Sequence, residues 1–360
     1  MIPILYPRGQ TVFYGNGLGR LIDSVRCRCT ETLNGGYELE LQYPKSGLHA
    51  NDIDINCIIK AKPNHEDYSQ PFRIYSVEKN YDGYIYAKAA HISYDVSGIP
   101  VLPFKANKLS EAIDKMNSNQ KVIKASEFVL AADFDLDGEM TVSNPASLRS
   151  LLGGTDNTLS YIYGGEYHYD SYTITLMSSR GSKKGVCFRY GKNITDFEQT
   201  IDCEDLYSSI FGFWRKPATD NTDEVLIYGN IIDVENVLPY DKIYVLDTSS
   251  LIKLKDENNN DIPPTSSQID DYVRNYIASR AIGLPNYSMK LTYADDSSII
   301  QVCLGDTVGV IFSDYNIKTI ARCSRVVYDS LLERNESVDI GVVNNGIAGE
   351  LASSFAKNNE

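Results

Sequence analysis

The most suggestive spacing of chemically active residues is the run Asp133-Phe134-Asp135-Leu136-Asp137-Gly138. Aspartates at alternate positions followed by glycine are typical of the start of an EF-hand loop, whose carboxylate oxygens bind calcium. The twelfth position of such a loop needs a bidentate glutamate, but Asn144 stands there. We therefore predict a polar hairpin turn, and we retain Asp133, Asp135 and Asp137 as the candidate metal ligands of the chain.

Cysteine and histidine suggest no second site. The cysteines are odd in number, form no Cys-x-x-Cys pair and are predicted to be reduced, buried thiols: Cys27, Cys29, Cys57, Cys187, Cys203, Cys303 and Cys323. The histidines show no ligand spacing and are predicted to be loop or packed residues: His49, His65, His91 and His168. Nucleophile-elbow and phosphate-loop motifs are also missing from the sequence, so we predict neither an enzyme nor a bound cofactor.

Trp214 is the single tryptophan and follows Phe211-Gly212-Phe213. An exposed indole ring at such a site could stack on a sugar, whereas a buried one would anchor a core or an interface. The anchor is the more usual role of such a residue, so the sequence favours it and keeps the sugar platform as the alternative.

Alternating hydrophobicity places most of these residues on strands. The segment Tyr37-Glu38-Leu39-Glu40-Leu41-Gln42-Tyr43 has a large apolar residue at every second position, which predicts a strand with one buried face. Tyr287-x-Met289-x-Leu291-x-Tyr293 repeats the pattern position by position. Each segment precedes a short apolar strand and then a strand ending in Tyr-Asp, at Tyr81-Asp82 and Tyr328-Asp329. We interpret this echo as a duplicated β block.

The chain is therefore predicted to be a β-rich α+β protein with two tube-type, β-barrel-like domains, an α+β middle domain and a small helical insertion. The predicted boundaries are 1–103 for the first tube-type domain, 104–205 for the middle domain, 206–247 with 286–345 for the second, split tube-type domain, 248–285 for the helical insertion and 346–360 for a flexible tail. Three such chains around an axis would present six similar domains.

Composition limits the partners. The 360 residues include 34 Lys and Arg against 48 Asp and Glu, a formal charge of −14, which argues against gripping nucleic acid or an anionic membrane. The 26 tyrosines suit a β-rich assembly protein, because a tyrosine side chain has an apolar ring that packs against other residues and a hydroxyl group that reaches water. The sequence has no apolar run of about 18 residues, so we expect no membrane anchor.

Several segments, taken in order, carry a resemblance to one family: Asn144–Gly154, Gly165–Asp170, Arg180–Val186, Arg189–Ile194, Leu304–Val308 and Tyr328–Arg334. They resemble the tail-associated baseplate hub proteins of long-tailed phages and prophages, often labelled prophage endopeptidase tail. The resemblance covers residues 1 to 345 and contains no catalytic motif.

The resemblance implies a homotrimeric hub at the tail tip of a virion, made in the bacterial cytoplasm. Its ring would continue the tail tube and let DNA pass in transit. The implied partners are the distal tail protein, tail-tube and tape-measure proteins, and fibre or receptor-binding proteins. Interface candidates are Tyr37, Leu39, Leu41 and Tyr43 of the first block and Tyr287, Met289, Leu291 and Tyr293 of the second.

Two alternatives remain open from the sequence. The chain could be a tail-associated endopeptidase that degrades peptidoglycan, although no catalytic set supports the family label here. It could also be a module that binds host cell-wall carbohydrate through tyrosines and Trp214.

Overall fold

The computed structural model describes residues 1–122, 128–155, 157–189, 194–202, 206–216, 218, 223–234, 238, 240–249, 251–252, 254–255, 261–280, 286–293, 301–312 and 317–341. By their contacts the residues form two compact units. The first comprises Met1–Phe197, Lys290–Lys318 and Arg322–Ile340, and the body of the second is Glu198–Met289.

The chain is β-rich α+β, as the alternating patterns predict. Strands up to the second unit are β1 Ile4–Tyr6, β2 Gly19–Arg20, β3 Arg26–Thr32, β4 Tyr37–Pro44, β5 Ile58–Ala61, β6 Gln70–Lys79, β7 Tyr84–His91, β8 Pro100–Val101, β9 Phe104–Lys108, β10 Val129–Ala132, β11 Asp137–Val142, β12 Ala146–Ser147, β13 Glu166–Asp170, β14 Thr173–Met177, β15 Lys183–Arg189 and β16 Ile194–Asp202. The later strands are β17 Ser209–Lys216, β18 Val225–Asp233, β19 Ile243–Asp247, β20 Leu254–Lys255, β21 Asp261–Ile262, β22 Asn286–Tyr293, β23 Thr307–Phe312, β24 Ile317–Asp329 and β25 Arg334–Gly341.

Helices are few. Within the described ranges they are a 3₁₀ helix at Ile92–Gly98 and four α-helices, α1 Leu109–Ser118, α2 Leu148–Leu152, α3 Leu159–Tyr163 and α4 Ser266–Arg280. Helices long and apolar enough to cross a membrane are absent from the described residues.

The core of the first unit lies on one face of its largest sheet. The alternation in β4 sends Tyr37, Leu39, Leu41 and Tyr43 to this face, as a period of two requires. The same buried cluster includes apolar residues of α1, α2, α3 and the small sheet β10-β14-β13. One face of the sheet is thereby covered by the chain itself.

The strands of the two predicted blocks follow the same order in this sheet. The first block runs β4-β7-β6-β5, and the second runs β22-β25-β24-β23. One further strand extends each block, β3 beside β4 and β16 beside β22. The described strands form no closed barrel within one chain, so the tube-type, barrel-like assignment stays a prediction.

The second unit has a sheet of its own. Its strand order is β18-β17-β19, and α4 covers one face through Ile269 and Val273. The helix approaches so closely that a Cβ on Gly212 would lie 2.7 Å from Val273 Cγ2. Sequence predicted that the face of α4 with these two residues is apolar, and it is the buried one.

The structure differs here from the predicted domain boundaries. Residues 206–247 were predicted to share a domain with 286–345, but β17, β18 and β19 pack with α4 of the predicted insertion. The reason is that the buried face of β17 is covered by α4 and by no strand of the later segment. The first predicted domain and most of the middle domain fall in one unit, and the finer boundaries stay predictions.

Candidate assembly site

The interface candidates of the first block lie on a strand inside the sheet. Tyr37, Leu39, Leu41 and Tyr43 are each at most 2% exposed, and β4 is hydrogen-bonded to β3 on one side and to β7 on the other. These side chains pack inside their own chain. A role for them in assembly stays a prediction, and it would be an indirect one, through the shape of the sheet.

The opposite face of β4 is polar and free. Glu38 and Glu40 are exposed and alternate with the buried residues. Partial burial, and then the charges of these two glutamates, raise the pKa of Tyr75 on β6. Acidic and basic side chains therefore alternate on the face that the core does not cover, because Glu40 lies between Arg28 of β3 and Lys88 of β7.

The interface candidates of the second block, Tyr287, Met289, Leu291 and Tyr293, lie on β22. This strand stands between β16 and β25, so it too is an inner strand of the sheet. The side chains of these four residues lie outside the described part of the chain.

The turns between the last two strands of each block have equal length. Residues 80–83 join β6 to β7, and residues 330–333 join β24 to β25. Tyr81 lies within its turn and is fully exposed, whereas Tyr328 is a buried residue of β24. The predicted match of the two Tyr-Asp pairs is therefore wrong, and aligning the strand ends pairs Tyr75–Lys79 with Arg325–Asp329.

These two equivalent segments have different surroundings. Arg325–Asp329 pairs antiparallel with Arg28–Thr32 of β3, which joins the second block to the first. On β6, the pairing with β5 ends at Arg73, and Tyr75–Lys79 has no strand partner on that edge among the described residues. The outer edge of β16, the counterpart of β3, is likewise unpaired in the described sheet. The junction between β24 and β3 is therefore formed by strand pairing within the chain, which we call closed. The equivalent junction, between β6 and β16, is not formed in the described chain, and we call it open.

A second structural feature brings together two segments that carried the family resemblance. A Cβ on Gly181, which has φ +74°, would lie 2.2 Å from the carbonyl carbon of Gly305, so the two backbones are in direct contact. Arg322 holds the two segments together, because its Nε donates to Gly305 O at 2.8 Å and its Nη2 donates to Arg180 O at 2.7 Å. Its guanidinium also pairs with Glu166.

Arg180 continues this polar network into the sheet. Its Nη1 donates to Glu31 Oε1 at 2.5 Å and to Tyr167 O at 3.1 Å, and both members of the ion pair are buried. The desolvation cost of two charges makes such a pair a device for fixing position more than for adding stability. Sequence marked Arg180 and Glu166 by resemblance alone and gave no hint of their partners.

Asp67 and His168 form a further ion pair at 3.0 Å. The hydrogen bond to Asp67 raises the pKa of His168, against the opposing effect of burial. Burial alone would raise the pKa of Asp67, but hydrogen bonds from His168 and Asn64 outweigh it and the pKa is lowered. His91 is a packed residue, as predicted for the histidines: it stacks on Tyr37 at 4.6 Å, and burial lowers its pKa to about 3.

The aspartates of the EF-hand-like run do not converge on a metal site. Asp133 Oδ1 accepts from the Ser178 N–H at 2.7 Å, and Asp137 begins β11 opposite Lys108. Asp135 accepts from both the N–H and the hydroxyl of Ser110, so it caps the first turn of α1. The carboxylates of Asp133 and Asp135 thus have separate structural roles, and Asp137 lies on a strand.

Among the described residues, the group with metal-ligand spacing is Glu66, Cys303 and Asp306. The buried Asp306 carboxylate already accepts from the backbone N–H groups of Ser182 and Cys303, at 2.8 and 2.7 Å. Lys184 Nζ lies 3.2 Å from Glu66 and 3.7 Å from Asp306. The ammonium group of Lys184 therefore occupies the position that a metal cation would take. The Asp306 carboxylate closes the turn that begins at Cys303.

Four buried thiols are poor nucleophiles. Burial raises the pKa of Cys27 to about 12 and raises the pKa values of Cys29, Cys303 and Cys323 as well. Thiols in this state are protonated at neutral pH and do not attack carbonyl carbons.

Trp214 is 6% exposed and packs in the core between β17 and α4. The anchor interpretation of this residue is therefore confirmed, because a ring buried under α4 offers no face to a sugar.

Neither a family model nor a curated protein matches this chain. Solved structures do. Prophage tail protein gp18 of Listeria monocytogenes EGD-e has a TM-score of 0.56 at 12% identity, covering 99% of both chains. The 43 kDa tail protein of prophage MuSo2 from Shewanella oneidensis has a TM-score of 0.60 at 10% identity, covering 97% of this chain and 99% of its own.

A tail protein from Neisseria meningitidis MC58 is similar in the same way, with a TM-score of 0.58 at 8% identity over 96% of this chain and 98% of its own. At such low identity the likeness shows the fold alone. It extends over nearly the whole length of each chain.

Proposed function

We propose that this chain, which has the fold of prophage tail proteins, is a structural subunit of a phage tail tip in which three copies form a ring continuing the tail tube. The observation that carries the proposal is the pair of equivalent junctions. The β24–β3 junction is closed within the chain, and the edges of β6 and β16 that would form its equivalent are open.

Exposed strand edges favour pairing with another chain. If the Tyr75–Lys79 edge of one copy pairs with β16 of the next, every block contacts its neighbour as the two blocks of one chain contact each other. Such a contact is heterologous, because the two surfaces differ, and it closes when the rotation per copy divides a full turn. Six similar blocks then surround one opening.

The polar face of β4 is the face proposed to line this opening. The other face is covered by the chain's own helices and small sheet, so it cannot line a passage. On this free face the basic residues Arg28 and Lys88 flank Glu40, so the face has mixed charge and offers the phosphate backbone of DNA no continuous basic surface to adhere to. No catalytic role is proposed, and the further partners, distal tail, tube, tape-measure and fibre proteins, belong to the same proposal.

Size measurement tests the ring. Purified protein at micromolar concentration should have the mass of a trimer by light scattering and native mass spectrometry, and negative-stain electron microscopy should show rings. A monomer at high concentration, in the absence and presence of the cognate neighbouring tail proteins, would contradict the proposal.

Two neighbouring proline substitutions test the proposed edge. The N–H groups of Val77 and Glu78 point to opposite edges of β6, so Val77→Pro and Glu78→Pro each remove a different donor. One variant should keep the thermal stability of the monomer and lose the trimer, while the other also loses a bond to β7 and melts earlier. Val12→Pro, in an exposed segment without a strand, is the control. Trimers in both edge variants would refute this placement.

A further inference from the structure

The sheet of the second unit has one apolar face that nothing in the described chain covers. The side chains on this face are Leu226, Tyr228 and Ile231 of β18, Phe211 and Phe213 of β17, and Ile243 and Val245 of β19. The exposed fractions are 41% for Leu226, 54% for Tyr228, 53% for Ile231, 42% for Ile243 and 56% for Val245. An open sheet face is normally polar, with apolar residues only on the covered side.

The face is apolar because of a bulge in β18. Phe211 pairs with Ile231 and Phe213 with Tyr228, so β18 advances three residues while β17 advances two. The extra residue restores Ile231 to the same side as Tyr228; without it, the alternation would turn Ile231 toward α4.

The bulge is held in place from the other side of the sheet. Asp270 of α4, a buried carboxylate, accepts from the Asn230 N–H at 2.7 Å and from its side-chain amide at 2.6 Å. A Cβ on Gly229 would lie 2.6 Å from Asp270 Oδ1, so only glycine fits there. Asp270 therefore holds the bulge in place, and the bulge keeps the Ile231 side chain on the exposed face.

The five most accessible residues expose roughly 500 Å² in total, mostly apolar, which is in the range of the largest patch on a typical monomer, and such patches are often functional. A stable interface covers about 800 Å² on each partner, with an apolar centre and a polar rim. The patch has the size of such a centre.

The charges around the patch select the partner. Asp233 and Asp247 lie on the same face of the sheet as the patch, because Asp233 is opposite Ser209 and Asp247 is beside Phe213. Arg215 is the basic residue among the described residues on this face, opposite Leu226, and it pairs with Glu224 at 2.6 Å. The rim of the patch is therefore net negative. A second copy would bring the same carboxylates together on a chain that already carries −14.

We propose that this apolar face, formed by residues 211, 213, 226, 228, 231, 243 and 245, docks a segment of another protein whose apolar surface is framed by lysine and arginine. The proposal goes beyond the ring: it concerns the second unit alone, and it can be tested whether the chain is a monomer or a trimer.

The test uses the full chain and a fluorescent 18-residue amphipathic peptide of leucine and lysine. The double variant Ile231→Thr with Val245→Thr keeps β-branched residues in both strands but removes apolar surface. It should bind the peptide at least tenfold more weakly than the parent chain by fluorescence anisotropy, with an unchanged melting curve. Val129→Thr with Ile22→Thr, two exposed positions of the first unit, should bind like the parent.

Two further peptides separate charge from apolar contact. A leucine–glutamate peptide should not bind, and a lysine–serine peptide should bind weakly and equally to parent and variant. Equal affinity of parent and variant for the leucine–lysine peptide would overturn the proposal, as would tight binding of the lysine–serine peptide. Self-association that the face variant alone abolishes would assign the face to a second copy and also overturn it. A parent chain that stays a monomer with and without the neighbouring tail proteins, and still shows the predicted binding, would refute the ring and leave this inference standing.

Discussion

The buried ion pair between Arg180 and Glu31 provides the clearest prediction for a single residue. Arg180→Met leaves the Glu31 carboxylate buried without its partner, and breaking such a pair costs about 3–5 kcal/mol. Urea denaturation should show this loss in the free energy of unfolding.

Arg215→Met is the matched control, because Arg215 pairs with Glu224 at the surface, where both side chains are about half exposed. Exposed pairs contribute about 0–1 kcal/mol, so this variant should unfold close to the parent. Similar losses in the two variants would contradict the role assigned to Arg180.

His91 predicts how stability depends on pH. Its pKa in the folded chain is about 3, below the ordinary value of 6.5, so the unfolded chain binds the proton first. The free energy of unfolding should therefore fall as pH drops below 6.5, by about 1.4 kcal/mol per pH unit. Denaturant curves at pH 6.5, 5.5 and 4.5 should show this slope in the parent and a smaller one in His91→Gln.

His168 has the opposite sign and serves as the control. Its pKa is raised, so its contribution is complete below pH 6.5 and is lost as pH rises through the raised value. His168→Gln should keep the acid slope and remove a loss of stability on the alkaline side. The same acid slope in His91→Gln and parent would refute the assignment.

Among the structural elements, the bulge in β18 depends on one carboxylate. Asp270→Ala removes the acceptor for two part-buried hydrogen bonds from Asn230, and a hydrogen bond to a charged group contributes about 1.5–3 kcal/mol. The melting temperature should fall. Asp271→Ala, on the exposed side of α4, should remain within about 0.5 kcal/mol of the parent. Unchanged stability in Asp270→Ala would show that the bulge forms without this clasp.

For the whole molecule, charge predicts how the proposed ring responds to salt. Each chain carries −14, so bringing three together costs electrostatic energy that salt reduces by shortening the Debye length from about 30 Å at 0.01 M to about 8 Å at 0.15 M. Sedimentation at fixed protein concentration should show a larger trimer fraction at the higher salt. A trimer that dissociates as salt rises would indicate an interface held by ion pairs instead.

The sequence by itself determined the features that depend on local pattern. A period of two fixed the buried face of β4, and a helical period fixed the face of α4 that carries Ile269 and Val273, because each pattern is read along a few neighbouring residues. The echo of two blocks was also visible, since the same strand pattern recurs in each.

The tertiary structure decided what depends on contacts between distant residues. Arg180 meets Glu31 across 149 residues, and Asp135 caps α1 from the loop between β10 and β11, and neither contact has a local signature. Sequence favoured an anchor role for Trp214 without deciding between a core and an interface, and packing against α4 decided for the core. The open edge at Tyr75–Lys79 was not predicted either. An edge is open when no other strand pairs with it, and the sequence of one strand does not show which strands lie beside it.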